Sequence, residues 1–393
     1  MKRLFVVCLT FGLVTSGFSE SSLPVAEPAS MGMVAQELSK IEPAMSQLLN
    51  DGKLAGGNVL VLRRGHVVYQ KSFGYRDLEG QLPMEMDTIF RIYSMTKALS
   101  SAAALMLCEE GKMSLDDPIG LHLEAMKNQS ATRSTTVRDL LRHTSGYIRR
   151  PGGDMPLQKM VTTLAAQAPD YEPGSQWVYG VSTDLLAAVV EAVDGQPFDQ
   201  CLARRLIEPL GMSDTGFTLP ESKVARLAVH YRVEKGKLVI NDPAQGSSYI
   251  QERAFKGGGS GLVSTITDYA KFLQMIANGG VFQGKRYLRE DSIMLMKTNQ
   301  LPRAITQIAF GSQQRFGTGF GLGFCVKYDD DDRWNPDGAL GEYGWGGAAS
   351  THYWISPRDE LVVVTMEQTM PYNWNMEDTL KPIIYGAIKK RSH

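Results

Sequence analysis

Cysteine is scarce in this sequence: four in 393 residues, one of them (Cys8) inside an apolar N-terminal stretch. The other three, Cys108, Cys201 and Cys325, are an odd number and too few for a disulfide framework, and no Cys-x-x-Cys pair occurs. Cys108 falls in an apolar helical run and Cys325 in a strand-like run, so both read as core thiols. Histidine is nearly as sparse, with six, and none has His-Glu-x-x-His spacing, so no metal site is expected. Charge of one sign is also missing. Lys and Arg total 41 against 42 Asp and Glu, a net charge of −1, so nothing resembles the basic stripe that grips nucleic acid. Past the N-terminal stretch no run of 18 apolar residues occurs, and no membrane-spanning helix or stable insertion is expected. There is no Gly-x-Ser-x-Gly elbow. Lys256-Gly-Gly-Gly-Ser260-Gly lacks the Gly-Lys-Ser/Thr ending of a phosphate loop.

What is present is ordinary globular composition, 43% hydrophobic and 21% charged, in a chain long enough for two compact units. The first 19 residues have the three parts of a signal peptide. Lys2 and Arg3 give the positive start, Leu4 to Val14 the apolar core, and Gly17-Phe18-Ser19 the small residues before a cut. An exported protein, periplasmic or secreted, is therefore expected, with residues 20–32 as a loose leader rich in Ser, Pro and Ala.

Apolar residues at helical spacing predict helices over Met33–Leu49, Ser94–Glu110, Thr136–Arg142, Leu157–Gln167, Thr183–Val193, Phe198–Ile207, Asp268–Asn278 and Glu377–Lys390. Strand patterns flank Arg64-Gly65-His66 and recur near 320–328, 342–345, 350–356 and 361–367. Gly317, Gly319, Gly321 and Gly323 alternate as though along one strand with a bare face. Asp329 to Asp332 reads as a solvated acidic turn, because the alternating spacing and glycine of a calcium loop are missing. Strands thus cluster at both chain ends and helices fill the middle. Short connections such as Pro357-Arg358-Asp359-Glu360 permit only antiparallel pairing. The expected fold is α+β, an α/β sandwich with an antiparallel sheet flanked by helices. Residues 33–114 and 255–393 form the sheet domain, and 115–254 an inserted, mainly helical domain.

One tetrapeptide carries chemistry. Ser94-Met95-Thr96-Lys97 opens a helix, and residues three apart share a helical face, about 5–6 Å apart at their β-carbons. A serine hydroxyl becomes a useful nucleophile only beside a base or cation. Lys97 can serve as the base itself, or as a charge favouring a neighbouring base in its anionic form. The helix start adds N–H groups for an oxyanion.

The surroundings make this specific. Phe90-Arg-Ile-Tyr-Ser94-Met-Thr-Lys97 is followed by Leu140-Leu-Arg-His-Thr-Ser-Gly146, Pro173-Gly174 with Trp177-Val-Tyr179, Pro209-Leu-Gly-Met212, Gly257-Gly-Gly-Ser-Gly-Leu262 and Gly344-Trp-Gly-Gly347. Over residues 35–385 this order resembles the serine β-lactamase and penicillin-binding-protein superfamily, and implies the β-lactamase/transpeptidase-like fold. The resemblance places Tyr179 as the second motif's phenol, taking the proton from Ser94 beside Lys97. Free phenols ionise near pH 10, and an adjacent cation favours the phenolate.

Two departures stand out. Class C lactamases carry Asn two positions after that Tyr, where this chain has Val181. Their third motif is Lys-Thr-Gly, and Trp345-Gly346-Gly347 stands in its place. That substitution resembles the family VIII carboxylesterases, and by that similarity the N–H groups of Ser94 and Ala348 form the oxyanion hole. Val181, Trp345, Gly346 and Gly347 then line the substrate site, the glycines letting substrate lie close to the strand edge. The implied activity is hydrolysis of short-chain carboxylic esters through an acyl-enzyme on Ser94, with a small-molecule ester as partner and no cofactor. The alternatives are a β-lactamase or D-amino-acid peptidase on the same fold, or a non-catalytic penicillin- or peptidoglycan-binding protein.

Overall fold

The computed structural model describes residues 23–129, 131–310 and 313–389. Its centre is an eight-stranded sheet made from both ends of the chain. The N-terminal part supplies β1 (Gly56–Arg63), β2 (His66–Asp77) and β3 (Leu82–Pro83). The C-terminal part supplies β4 (Thr318–Phe320), β5 (Cys325–Lys327), β6 (Tyr343–Gly347), β7 (Thr351–Ser356) and β8 (Leu361–Met366). Their order is β4-β5-β6-β7-β8-β1-β2-β3, all antiparallel, and the two chain ends meet where Val61 of β1 faces Val363 of β8.

The central strands are apolar without a break because both of their faces are covered. Leu60, Leu62, Val362 and Val364 enter the larger core, which includes α2 (Thr96–Glu109), α3 (Ser182–Asp194) and α4 (Ile266–Ala277). Val59, Val61, Leu361 and Val363 enter the other, under α1 (Ile41–Asn50) and α5 (Asn375–Gly386). Truncating a fully buried leucine here, such as Leu60, to alanine would cost about 2–5 kcal/mol. Helix α2 is buried nearly all round, which explains its Ala- and Leu-rich sequence with no polar stripe. The larger core runs without interruption from Leu60 through Phe198 to Val364.

Four expectations need correction. The strand expected over 320–328 is a hairpin: Phe320 pairs with Cys325, and Gly321 and Gly323 lie in its turn. A Cβ at Gly321 would lie 2.0 Å from the Met296 carbonyl, so the glycine spacing reflects close approach to a neighbour and not one bare strand face. The segment 115–254, expected to be mainly helical, also contains strands. Strands His230–Glu234 and Lys237–Asp242 form a hairpin that pairs in parallel with Thr369–Met370, just after β8. Residues 23–32 are not loose: the Val67 N–H donates to Pro24 O, the Ala26 N–H to Val67 O, and Leu23 is buried. Ser182, which by its place directly before Thr183 reads in the sequence as the cap of the Thr183–Val193 helix, makes no cap and instead shares a 2.8 Å hydrogen bond with Ser145. The proposed signal segment, residues 1–19, lies outside the described residues. Among the described residues no helix is long and apolar enough to cross a membrane.

Candidate active site

A tight 3-10 turn, Tyr93–Met95, leads directly into α2 and places Ser94 at its start. Tyr93 has φ 42°, in the left-handed region that costs a non-glycine residue about 1–3 kcal/mol. That strain turns the chain sharply out of the buried strand Ile89–Arg91 and leaves Ser94 partly exposed. Lys97, one turn on, belongs to the buried helix and is only 6% exposed. Its Nζ donates to Ser94 Oγ at 3.2 Å and to Gly259 O at 2.6 Å.

The glycine loop holds this lysine. A Cβ at Gly258 would lie 2.4 Å from Thr183 O and 2.8 Å from the Ala187 Cβ, so only glycine lets the loop lie flat on α3. The loop is pinned where Ser100 Oγ donates to Gly258 O at 2.8 Å and Gly259 N–H donates to Asp184 at 2.8 Å. A buried carboxyl and a buried ammonium are thus bridged by a single residue, Gly259, one at its N–H and the other at its carbonyl. Burial raises the Asp184 carboxyl above its ordinary range, while the Lys97 charge and the Gly259 N–H pull it back.

Tyr179 reaches the same point from the loop ahead of α3. Lys97 Nζ sits 4.6 Å from the centroid of its ring, a cation–π contact. The Tyr179 hydroxyl accepts a 3.3 Å hydrogen bond from Trp345 Nε1. Among the described residues it has no hydrogen bond to Ser94 or Lys97. The ring packs 4.8 Å from His143 and 5.3 Å from Trp345, centroid to centroid. Burial, and then the Lys97 charge, hold His143 well below its ordinary pKa, so it stays a neutral wall. The loop carrying His143 is ordered by Asp139, which accepts from Arg133, Thr136, Arg142 and Thr144. Burial alone would raise that carboxyl, but these donors hold it at about 2.

Strand β6 closes the site. A Cβ at Gly347 would lie 2.3 Å from Ile92 O, so glycine allows the strand end to press against the turn that carries Ser94. Among the described residues neither the Ser94 N–H nor the Ala348 N–H has an acceptor, and both residues are partly exposed. Gly346 lies against Tyr372 and His352. Trp345 packs with Trp177, Ile308 and Phe320 into an apolar wall. Val181, expected to line the substrate site, is 2% exposed and belongs to the larger core. The arrangement therefore brings a hydroxyl, an ammonium and a phenol together, with two N–H donors that have no acceptor among the described residues. Those are the parts an acyl-transfer site needs.

Sequence reasoning passed over Asp184 and the Gly259 carbonyl. Asp184 did carry a signal, as the one acid within the apolar run Ser182–Val190.

Comparison with known proteins gives the same outline. The sequence profile of the family described as Beta-lactamase matches residues 41–384. Protein Rv1367c of Mycobacterium tuberculosis is 30% identical over 362 residues, covering 84% of this chain and 90% of that protein. Esterase EstB of Burkholderia gladioli is 28% identical over 372 residues, with the same two coverages. The solved structure of EstCE1, "a hydrolase with promiscuous acyltransferase activity", superposes with a TM-score of 0.77 at 24% identity, over 90% of this chain and 99% of that one. It shares the β-lactamase/transpeptidase-like fold.

Proposed function

The chain belongs to the β-lactamase family and is a serine hydrolase, and from that premise we propose that it is an exported carboxylesterase acting on small, short-chain esters. The observation that carries this reading is the third-motif strand, where Trp345 stands in place of a lysine and donates to Tyr179. Ser94 Oγ attacks the ester carbonyl, and its proton passes to the Tyr179 oxygen as the oxyanion forms between the Ser94 and Ala348 N–H groups. Lys97 orients Ser94 through their 3.2 Å hydrogen bond and sets its charge against the Tyr179 ring. Tyr179 then returns the proton to the departing alcohol. Water, deprotonated by the same oxygen, releases the acid and regenerates Ser94. Esterase EstB, which spans most of this chain, supports an ester as substrate. The apolar wall of Trp177, Ile308, Phe320 and Trp345 suits an uncharged acyl or alcohol group. Export rests on residues 1–19 as a signal segment.

The lactamase reading requires groups this chain lacks beside the nucleophile. A β-lactam carries a carboxylate and a side-chain amide rigidly next to its reacting carbonyl. Here Trp345 and Val181 replace the Lys and Asn that would meet them. Losing one charge-assisted and one neutral hydrogen bond costs about 2–4 kcal/mol, or roughly 30- to 1,000-fold in kcat/KM. Side-by-side turnover of 4-nitrophenyl butyrate and a chromogenic cephalosporin tests this. The ester should give the higher kcat/KM, and the reverse order would overturn the esterase reading.

A further inference from the structure

On the other side of Trp345 lies a second feature that the hydrolase chemistry does not use. Arg315 is only 5% exposed, yet its side chain makes no ion pair and no hydrogen bond to a carboxylate or carbonyl among the described residues. Its Nε is buried without a partner. Four aromatic rings surround the guanidinium carbon instead: Trp345 at 4.8 Å, Trp334 at 4.9 Å, Trp374 at 5.3 Å and Phe310 at 5.9 Å. Rings stabilise a cation through their faces but offer no lone pairs to its donors. Its polar surroundings are the Cys325 thiol, a weak acceptor that burial pushes up and the Arg315 charge pulls down, and the Glu377 carboxylate, which feels the Arg315 charge but is ion-paired with Lys381.

Arg315 and three of these rings border a cavity of about 450 Å³. The other cations on its wall are engaged: Lys381 by Glu342 and Glu377, Lys327 by Asp332, and Arg333 by Asp331. Arg315 is the one lining cation with no carboxylate at ion-pairing distance among the described residues. A buried guanidinium with no carboxylate bonded to its fork is costly, and that planar fork matches one ligand group best, a carboxylate bound bidentately.

We propose that this cavity is a binding site for an organic carboxylate, with the carboxylate on the Arg315 fork and an apolar body between the indoles of Trp334, Trp345 and Trp374. The inference goes beyond the hydrolase reading, because binding needs no turnover. Trp345 links the two sites, touching Arg315 through its ring and Tyr179 through its N–H. Two sources share this chemistry: the free acid that ester hydrolysis releases, or a carboxylate carried by the substrate at the end of a flexible chain.

Benzoate and its neutral isostere benzamide are the probes, read by tryptophan fluorescence and by calorimetry on the full chain. Benzoate should bind at least tenfold more tightly than benzamide, and Arg315→Gln should remove that preference. If Arg315→Gln fails to fold by circular dichroism, Arg315→Lys keeps the charge but loses the fork, and should weaken benzoate by about tenfold. Equal binding of the two probes, no binding of either, or unaltered benzoate affinity in a folded Arg315 variant would each overturn the site. The source is read from 4-nitrophenyl hemiglutarate against 4-nitrophenyl pentanoate. A substrate-borne carboxylate makes the hemiester the better substrate, with a preference that falls at least tenfold in the Arg315 variant. A free acid leaves the ester ratio unchanged, and benzoate then inhibits the wild type more than the variant. Failure of both esters to turn over would count against the esterase reading and leave the benzoate result standing.

Discussion

The indole N–H of Trp345 donates to the hydroxyl of Tyr179 at 3.3 Å, joining the third-motif strand to the second-motif loop through one side-chain pair. A lysine at position 345 would bring a mobile charge to this point. The tryptophan brings a fixed donor and a flat apolar wall. The change in one residue therefore alters both the partner of the proposed base and the polarity of the substrate site.

If the Tyr179 oxygen is the proton acceptor, Tyr179→Phe should lower ester kcat/KM by about 100-fold or more, the usual contribution of a positioned general base. Trp345→Phe removes only a neutral hydrogen bond to that oxygen, so its loss should be about 2- to 12-fold. Steady-state kinetics on 4-nitrophenyl butyrate separates the two. Near-normal turnover by Tyr179→Phe would identify Lys97 as the direct base.

Asp184 makes no hydrogen bond to Ser94, Lys97 or Tyr179 among the described residues, and is tied to Lys97 through Gly259, whose N–H donates to Asp184 and whose carbonyl accepts from Lys97. Asp184→Asn should lower kcat by about tenfold, the scale of a lost charge-assisted hydrogen bond, with KM little changed. A pH profile distinguishes positioning from plain destabilisation. The wild type should lose kcat toward acid as Asp184 takes up a proton, beginning above the ordinary carboxylate range because burial raises this group. The variant should lack that acid limb. An unchanged limb in Asp184→Asn would assign it to another group.

Glu367 follows β8 and is fully buried, with the Thr369 side chain as its polar neighbour; burial pushes its carboxyl up to about 8. Between about pH 4.5 and pH 8 the folded chain keeps a proton that the unfolded chain gives up. Folding stability therefore falls as pH rises through that window and levels off above it. Glu367→Gln removes the ionisation, so its Tm should exceed that of the wild type by a margin that grows from pH 5 to pH 8.5. Parallel Tm curves across that range would show that Glu367 does not titrate in the folded state.

Much of this was legible before the fold was known. The unbroken apolar runs in β1 and β8 and the turn at Arg64-Gly65 reported a two-faced central sheet, because burial on both sides leaves no polar alternation to blur the pattern. Ser94 and Lys97 were singled out by local spacing and Tyr179 by the family resemblance, and the structure brings the three side chains together. What local pattern could not reveal was partnership at a distance. Gly317 to Gly323 looked like one strand because close packing against Met296 and Asn299 demands glycine just as a strand face would. Ser182 looked like a cap because its partner, Ser145, lies 37 residues away. Arg315 gave no signal at all, since the rings around it come from four separate segments of the chain.

The central claim is that Ser94 becomes acylated. The direct measurement is tryptic mass mapping after reaction with a fluorophosphonate. Cleavage after Arg91 and Lys97 isolates Ile92–Lys97, a peptide in which Ser94 is the one serine. The account predicts a single stoichiometric adduct on that peptide, absent in Ser94→Ala. An adduct on the peptide carrying Ser145 or Ser260, with Ile92–Lys97 unmodified, would contradict it.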